Sequence, residues 1–155
     1  MQILPITKKD REAIIAQEGP IVVSRGHVHE LAHLPGDGCR IDEELVGWIF
    51  YAIAGDECEI VSLESRVENR GIGTRLIESV KERAEAAGCR KIWLITSNDN
   101  IRAIRFYQKR GFDLVAVHRD AITEARKRKP SIPLFGCEGI PIRHELEFEL
   151  RLVPR

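Results

Sequence analysis

Residues 96–112 read TSNDNIRAIRFYQKRGF. Ile101, Ile104 and Tyr107 recur at helical spacing, and Gly111 stands where such a helix would close its last turn. The segment therefore reads as a helix over 98–111. It follows KIWLITS (91–97), a mostly apolar run that predicts a central strand, and it precedes FDLVAVHR (112–119), which predicts another.

Working upstream, SLESRVENRGIGTRLIESV (62–80) joins a strand ending near Ser65 to a helix starting between Gly71 and Thr74. Leu76, Ile77, Val80, Ala84 and Ala87 form one face of that helix, and Gly88 ends it. Gly71 and Gly73, one residue apart at the turn, allow consecutive backbone N–H groups to converge on one point. The helix N-terminus adds partial positive charge there, so the turn suits a diphosphate. It lacks the Lys-Ser/Thr pair of a phosphate-binding P-loop and the spacing of a dinucleotide fingerprint.

Further upstream, MQILPI predicts a short strand, and Thr7 is positioned to cap a helix over 8–18 that stops at Gly19-Pro20. IVVSR (21–25) reads as a strand and residues 24–38, with Gly26, Pro35, Gly36 and Gly38, as irregular. LVGWIFYAIAG (45–55) and ECEIVSLES (57–65) are joined by Gly55-Asp56, a hairpin signal. Downstream, residues 120–142 form a connection rich in proline and glycine. HELEFELRL (144–152) then alternates as a strand, with Leu146, Phe148, Leu150 and Leu152 inward and Glu147, Glu149 and Arg151 outward. This order of elements predicts an α/β fold with a mixed sheet and helices on its faces, in one domain over 1–155.

Together the two glycine- and asparagine-bearing segments resemble the GNAT superfamily of N-acetyltransferases. NIRAIRFYQKRGF is similar to that family's N-x-x-A-x-x-F-Y-x-x-x-G-F signature, and NRGIG to the second half of its Q/R-x-x-G-x-G/A pyrophosphate motif. Glu68 stands where the family has Gln or Arg, and is expected to face solvent. The resemblance covers essentially the whole chain. It implies a mostly antiparallel, splayed sheet of about six to seven strands, acetyl-CoA as co-substrate, and transfer of an acetyl group to a primary amine of a small molecule or peptide.

Residue by residue, the resemblance implies that Leu63 and Ser65 flank the pantetheine arm where two strands part. The backbone of Asn69, Arg70, Gly71, Ile72, Gly73 and Thr74 would hold the pyrophosphate, with Arg70 and Arg75 near its oxygens. Asn100 would contact the pantetheine and Ala103 would leave room beside it. Tyr107 would be the general acid for the departing thiolate, which is chemically reasonable for a phenol of pKa about 10 and a thiol of about 8.5. Glu57 and Glu59, placed on the face of Leu63 by strict alternation, are candidates for the base that accepts the amine proton, directly or through water. Glu59 is preferred because it lies nearer the thioester. An acyl-CoA-binding module with little catalysis is the alternative. The family often pairs, so a homodimer is among the assemblies expected.

A competing signal lies at HVHELAHLPGDGC (27–39), where His29, Glu30 and His33 spell the zinc-protease pattern H-E-x-x-H. The extended zinc-protease (metzincin) pattern places both histidines one turn apart on a long helix, but Pro35 and Gly36 follow at once. The only methionine is Met1, so no methionine turn follows either. The expectation is a loop or frayed helix whose histidines face solvent or are satisfied locally, with no metal.

The bulk numbers set the remaining bounds. Lysine plus arginine and aspartate plus glutamate each total 24 in 155 residues, so no net field recruits nucleic acid or an anionic membrane. EARKRKP (124–130) is the one dense basic run and reads first as a solvated face. No apolar run approaches a membrane span, and the start of the chain lacks a signal-peptide pattern. The four cysteines, Cys39, Cys58, Cys89 and Cys137, are widely spaced and read as packing residues in a reducing, cytoplasmic setting.

Overall fold

The computed structural model describes residues 1–152, so 153–155, the end of the expected domain, lie outside the described residues. The chain runs β1 (Gln2–Pro5), α1 (Lys8–Glu18), β2 (Ile21–Ser24), β3 (His27–Glu30), β4 (Gly36–Ile41), β5 (Glu44–Ala54), β6 (Glu57–Ser65), α2 (Ile72–Ala86), β7 (Lys91–Ser97), α3 (Ile101–Lys109), β8 (Asp113–His118), α4 (Ala121–Ala125) and β9 (Glu145–Arg151). Thr7 caps α1 in a reciprocal box: its hydroxyl accepts from the Asp10 amide at 3.0 Å, and the Asp10 carboxylate accepts from the Thr7 amide.

Seven strands form one sheet in the order β1-β4-β5-β6-β7-β9-β8, while β2 and β3 pair as a separate hairpin. Every neighbouring pair in the large sheet is antiparallel except β6 with β7, which the crossover through α2 makes parallel. That pairing is short, holding only Glu57–Ile60 against Lys91–Leu94. Both strands continue beyond it, β6 to Ser65 and β7 to Ser97, without bonding to each other. The sheet is splayed there, as the resemblance implies.

Each face of the sheet has its own core. Ile72, Leu76, Ile77 and Val80 of α2 pack with Ile49, Ile60, Leu94 and Phe148 on one face. On the other, Ile14 of α1 and Leu31 meet Trp48 and Phe50 of β5. Among the described residues no helix is long and apolar enough to cross a membrane.

Three expectations need correction. Residues 24–38 are largely strand: β2 and β3 close through Arg25-Gly26, both at positive φ (50° and 77°), and β4 pairs with β1 and β5 on its two sides. Glycines 36 and 38 suggested a loop, but strands on both flanks satisfy that backbone. Second, Glu147 does not reach solvent. It is buried, because the β2–β3 hairpin covers the face of β9 that the alternation left outward: the Arg25 guanidinium lies 3.6 Å from it. Third, only three cysteines pack inside; Cys137 is exposed. Burial pushes the Cys58 thiol up to about 12, so it stays protonated.

Candidate active site

The parting of β6 from β7 is where local chemistry gathers. Beneath it lies a cleft of about 480 Å³ lined by Leu63, Ser65, Gly73, Asn100, Ala103 and Tyr107, among others. Six of the twelve residues expected from the sequence therefore share one opening. Asn100 caps α3, its side-chain oxygen accepting from the Ala103 amide at 3.2 Å. The Ser65 hydroxyl donates to the Val67 carbonyl at 2.8 Å and so shapes the turn out of β6.

At the entry to α2, Asn69 and Gly71 adopt positive φ (59° and 71°), which turns the chain sharply into the helix. Gly71 is the N-cap and offers no side-chain acceptor, and the first turn carries no acidic residue. The first internal bond runs from the Arg75 amide to the Gly71 carbonyl at 3.0 Å. The amides of Ile72, Gly73 and Thr74 are left as donors at the positive end of a 15-residue helix, the environment an anion seeks. The Ile72 side chain is buried in the core, so only its backbone is available there. A Cβ on Gly73 would come within 2.9 Å of the Phe106 ring. The glycine thus allows α2 and α3 to approach as well as opening the backbone.

The charges around this turn differ in part from expectation. Glu68 is exposed and ion-paired to Arg102, so it faces solvent as expected. Arg75 points away, its guanidinium near the Met1 sulfur. In its place stands Arg110, which the motif reading missed: its Nε donates to the Thr74 hydroxyl at 3.0 Å and its guanidinium lies 4.1 Å over the Phe106 ring. Arg102, Arg105 and Lys109 also line the cleft, and their i, i+3, i+7 spacing on α3 was a readable signal for a basic helix face.

Tyr107 is buried among Phe106, Phe112 and Phe148. Burial drives its hydroxyl well above the usual phenol range, so it is fully protonated at neutral pH. Among the described residues it makes no side-chain hydrogen bond, which leaves its proton free for a group entering the cleft.

Glu59 does not lie on the face of Leu63. Phe50 opposes Ser62 and Tyr51 opposes Ile60, so Val61 is an extra residue in β6. This bulge reverses the alternation. Leu63 packs towards the α2 core, while Glu59 points to the opposite face and meets His29 of β3, Oε1 to Nε2 at 2.9 Å. Both are buried. Glu57 sits at the closed end of the β6–β7 pair, held by Arg90 at 2.7 Å.

That contact also settles how H-E-x-x-H folds. His29 lies on a strand and is satisfied by Glu59, 30 residues away, rather than locally. His33 is on a separate 3-10 turn, exposed beside Glu30. Among the described residues no group of three or more His, Cys, Asp or Glu side chains is arranged to hold a metal ion.

The Glu59 face carries further polar residues that the sequence did not reveal. Glu145 and Glu147 of β9 are buried beside it; the Arg25 amide donates to Glu145 at 3.1 Å, and His118 Nε2 lies 2.8 Å from Glu147. The basic run is mostly structural. Arg126 donates to the carbonyls of Ile132, Pro133 and Ile142, Lys129 donates to that of Ile21, and Lys127 pairs with Glu124.

Comparison with known proteins agrees with this layout. A model of the acetyltransferase (GNAT) family matches residues 9–112. The chain is 51% identical over 105 residues to the uncharacterised protein YdhI of Bacillus subtilis (strain 168), a match over 68% of this chain and 66%, just under two thirds, of that protein. It is 40% identical over 152 residues to the uncharacterised protein YxbD of the same strain, covering 94% of this chain and 96% of that one. Among solved structures, a GNAT family acetyltransferase from Elizabethkingia anophelis with acetyl-CoA bound superposes with a TM-score of 0.73 at 17% identity, covering 97% of both chains.

Proposed function

The chain belongs to the acetyltransferase (GNAT) family, whose co-substrate is acetyl-CoA, and from that premise we propose that it transfers an acetyl group to a primary amine of a small molecule or peptide. The observation that carries this reading is the splay between β6 and β7, with Tyr107 and Gly73 lining one cleft at the N-terminal end of α2.

The residues present fit the co-substrate. The amides of residues 72–74, with Arg110 and Arg70 nearby, suit the diphosphate; Asn69 and Gly71 supply the turn that exposes those amides. Leu63, Ser65, Asn100 and Ala103 line the channel for the pantetheine arm. Bound there, acetyl-CoA supplies an activated thioester carbonyl.

The chain's own groups then divide the proton work. Glu59, on the acceptor face, takes a proton from the incoming ammonium, directly or through water. The free amine attacks the carbonyl carbon in the ternary complex, forming the C–N bond as the C–S bond breaks. Tyr107 gives its proton to the departing sulfur, and the proton shed by the new amide nitrogen restores the phenol. The burial that raises the phenol also raises the thiolate's proton affinity, so the two remain matched. Glu57 is less suited than Glu59, since Arg90 and Lys91 neutralise it at the closed end of the sheet. In this reading 1–155 act as one domain in the cytoplasm, as a monomer or homodimer.

The test is release of free CoA thiol from acetyl-CoA across an amine panel. Tyr107→Phe should lower kcat on the order of a hundredfold or more while CoA affinity stays near wild type. Unchanged turnover would remove Tyr107 from the mechanism. An acyl-CoA-binding module would bind CoA and release no thiol with any amine.

A further inference from the structure

On the face of the sheet opposite α2 and α3 lies a second cavity, of about 520 Å³, between the β2–β3 turn, the end of β8, the α4 segment and the start of β9. Its deep wall is Glu145, which is 1% exposed, and its rim is formed by Arg25, His118, Lys127 and Arg128.

Each charged group here has a definite state of pairing. Glu147, beneath the cavity, is held by His118 and Arg25. Lys127 is paired with Glu124 at 2.7 Å. Arg25 is committed to Glu147 and to the face of Trp93, 5.4 Å away. Two groups are not balanced. Among the described residues the one hydrogen bond to the Glu145 carboxylate comes from the Arg25 amide to Oε1, with no cation on Oε2. The sealed buried atoms without partners are Ser24 Oγ and Trp48 Nε1, so Glu145 Oε2 is not walled in; it opens to the cavity. Arg128 donates to the Gly26 carbonyl at 3.2 Å and has no carboxylate partner among the described residues.

A buried carboxylate with a bare oxygen is costly unless a donor reaches it. The turn that brings the Arg25 amide to Glu145 holds Arg25 at φ 50°, a left-handed conformation unfavourable for a residue with a Cβ. Burial raises the Glu145 carboxyl, against the opposing pull of the Arg25 amide and of nearby His118 and Arg25, with Glu59 adding to the rise. Glu145 and Glu59 are both covered by the β2–β3 hairpin, through the Arg25 amide and His29. Glu145 also stands opposite Ser97, the last residue of β7, beside the mouth of the splay.

We propose that this cavity is the acceptor site and that it selects amines that also carry an anionic group, the ammonium resting on Glu145 and the carboxylate or phosphate on Arg128 at the rim. The inference rests on the proposed acetyl transfer and adds to it the class of substrate: a zwitterionic amine of the amino-acid type rather than a polyamine or a simple alkylamine.

The test uses three sets of probes, each with acetyl-CoA: ω-amino acids from glycine to 6-aminohexanoate, n-alkylamines of matched length, and the matching diamines. The amino acids should be preferred by about tenfold or more in kcat/KM, with an optimum length that reports the span from Glu145 to Arg128. Arg128→Gln, a surface change that does not threaten folding, should reduce that preference by about tenfold through KM rather than kcat. Glu145→Gln should raise the amine KM by a similar factor. A preference for diamines or alkylamines, or an Arg128→Gln variant with the wild-type preference, would overturn the inference. Saturation-transfer NMR of the same probes on the CoA-loaded protein separates the two readings. Amino acids that bind without thiol release would sustain the site and defeat the catalytic proposal; thiol release with no selectivity for zwitterions would do the reverse.

Discussion

The two faces of the sheet are built by different means. On the α2–α3 face the turn and the caps of the candidate cleft are local, although Arg110 reaches Thr74 across 36 residues: Gly71 turns the chain, the next three amides open, and Asn100 caps the helix that carries Tyr107. On the other face, polar pairs join distant parts of the chain, His29 to Glu59 across 30 residues and Arg25 to Glu145 across 120. A site assembled from helix starts leaves a local signature, whereas one assembled from strand crossings does not. The first face carries the cleft proposed for the co-substrate, and the second the cavity proposed for the acceptor.

If the faces are independent, damage to one should spare the other. The largest effect is expected from His29→Ala. Glu59 would be left buried without a hydrogen-bond partner, at a cost of about 2–3 kcal/mol in chemical denaturation, while CoA affinity stays unchanged. A parallel loss of CoA affinity would break the comparison. Gly73→Ala tests the opposite face. Its new methyl would meet Phe106 at 2.9 Å, so about 1–2 kcal/mol of stability should be lost together with CoA affinity. Retained affinity would show that the glycine serves helix packing alone.

The smallest effect is a pH slope. Burial raises the folded-state pKa of Glu145 above its ordinary 4.5. Between those two values the native state holds more protons than the unfolded chain, so this group makes stability fall as pH rises. Glu145→Gln removes that dependence. The variant should therefore gain in melting temperature relative to wild type as pH rises from 4.5, and a constant difference would contradict the rise that burial imposes on Glu145.

Much of the frame was readable from local pattern. The Thr7 cap, the Gly55-Asp56 hairpin, the α2 face of Leu76, Ile77 and Val80, and the α3 helix all follow from short-range chemistry. What escaped depended on neighbours far along the chain. Glycines 36 and 38 suggested a loop, but β1 and β5 flank them. The Val61 bulge moved Glu59 to the opposite face, because strict alternation cannot register an inserted residue. Glu147 looked like a solvent residue until the β2–β3 hairpin folded over it. The H-E-x-x-H spelling misleads for the same reason: its spacing has chemical meaning only on a helix, and here it spans a strand and a 3-10 turn.

The central claim is that the parting of β6 and β7 grips the pantetheine of CoA while the amides of α2 hold its diphosphate. Calorimetric titration of CoA into the purified protein tests it most directly. The account predicts a single saturable site that acetyl-CoA shares and that dephosphorylated pantetheine, lacking the diphosphate, fills far more weakly. No saturable heat with CoA, or equal affinity for pantetheine, would contradict it.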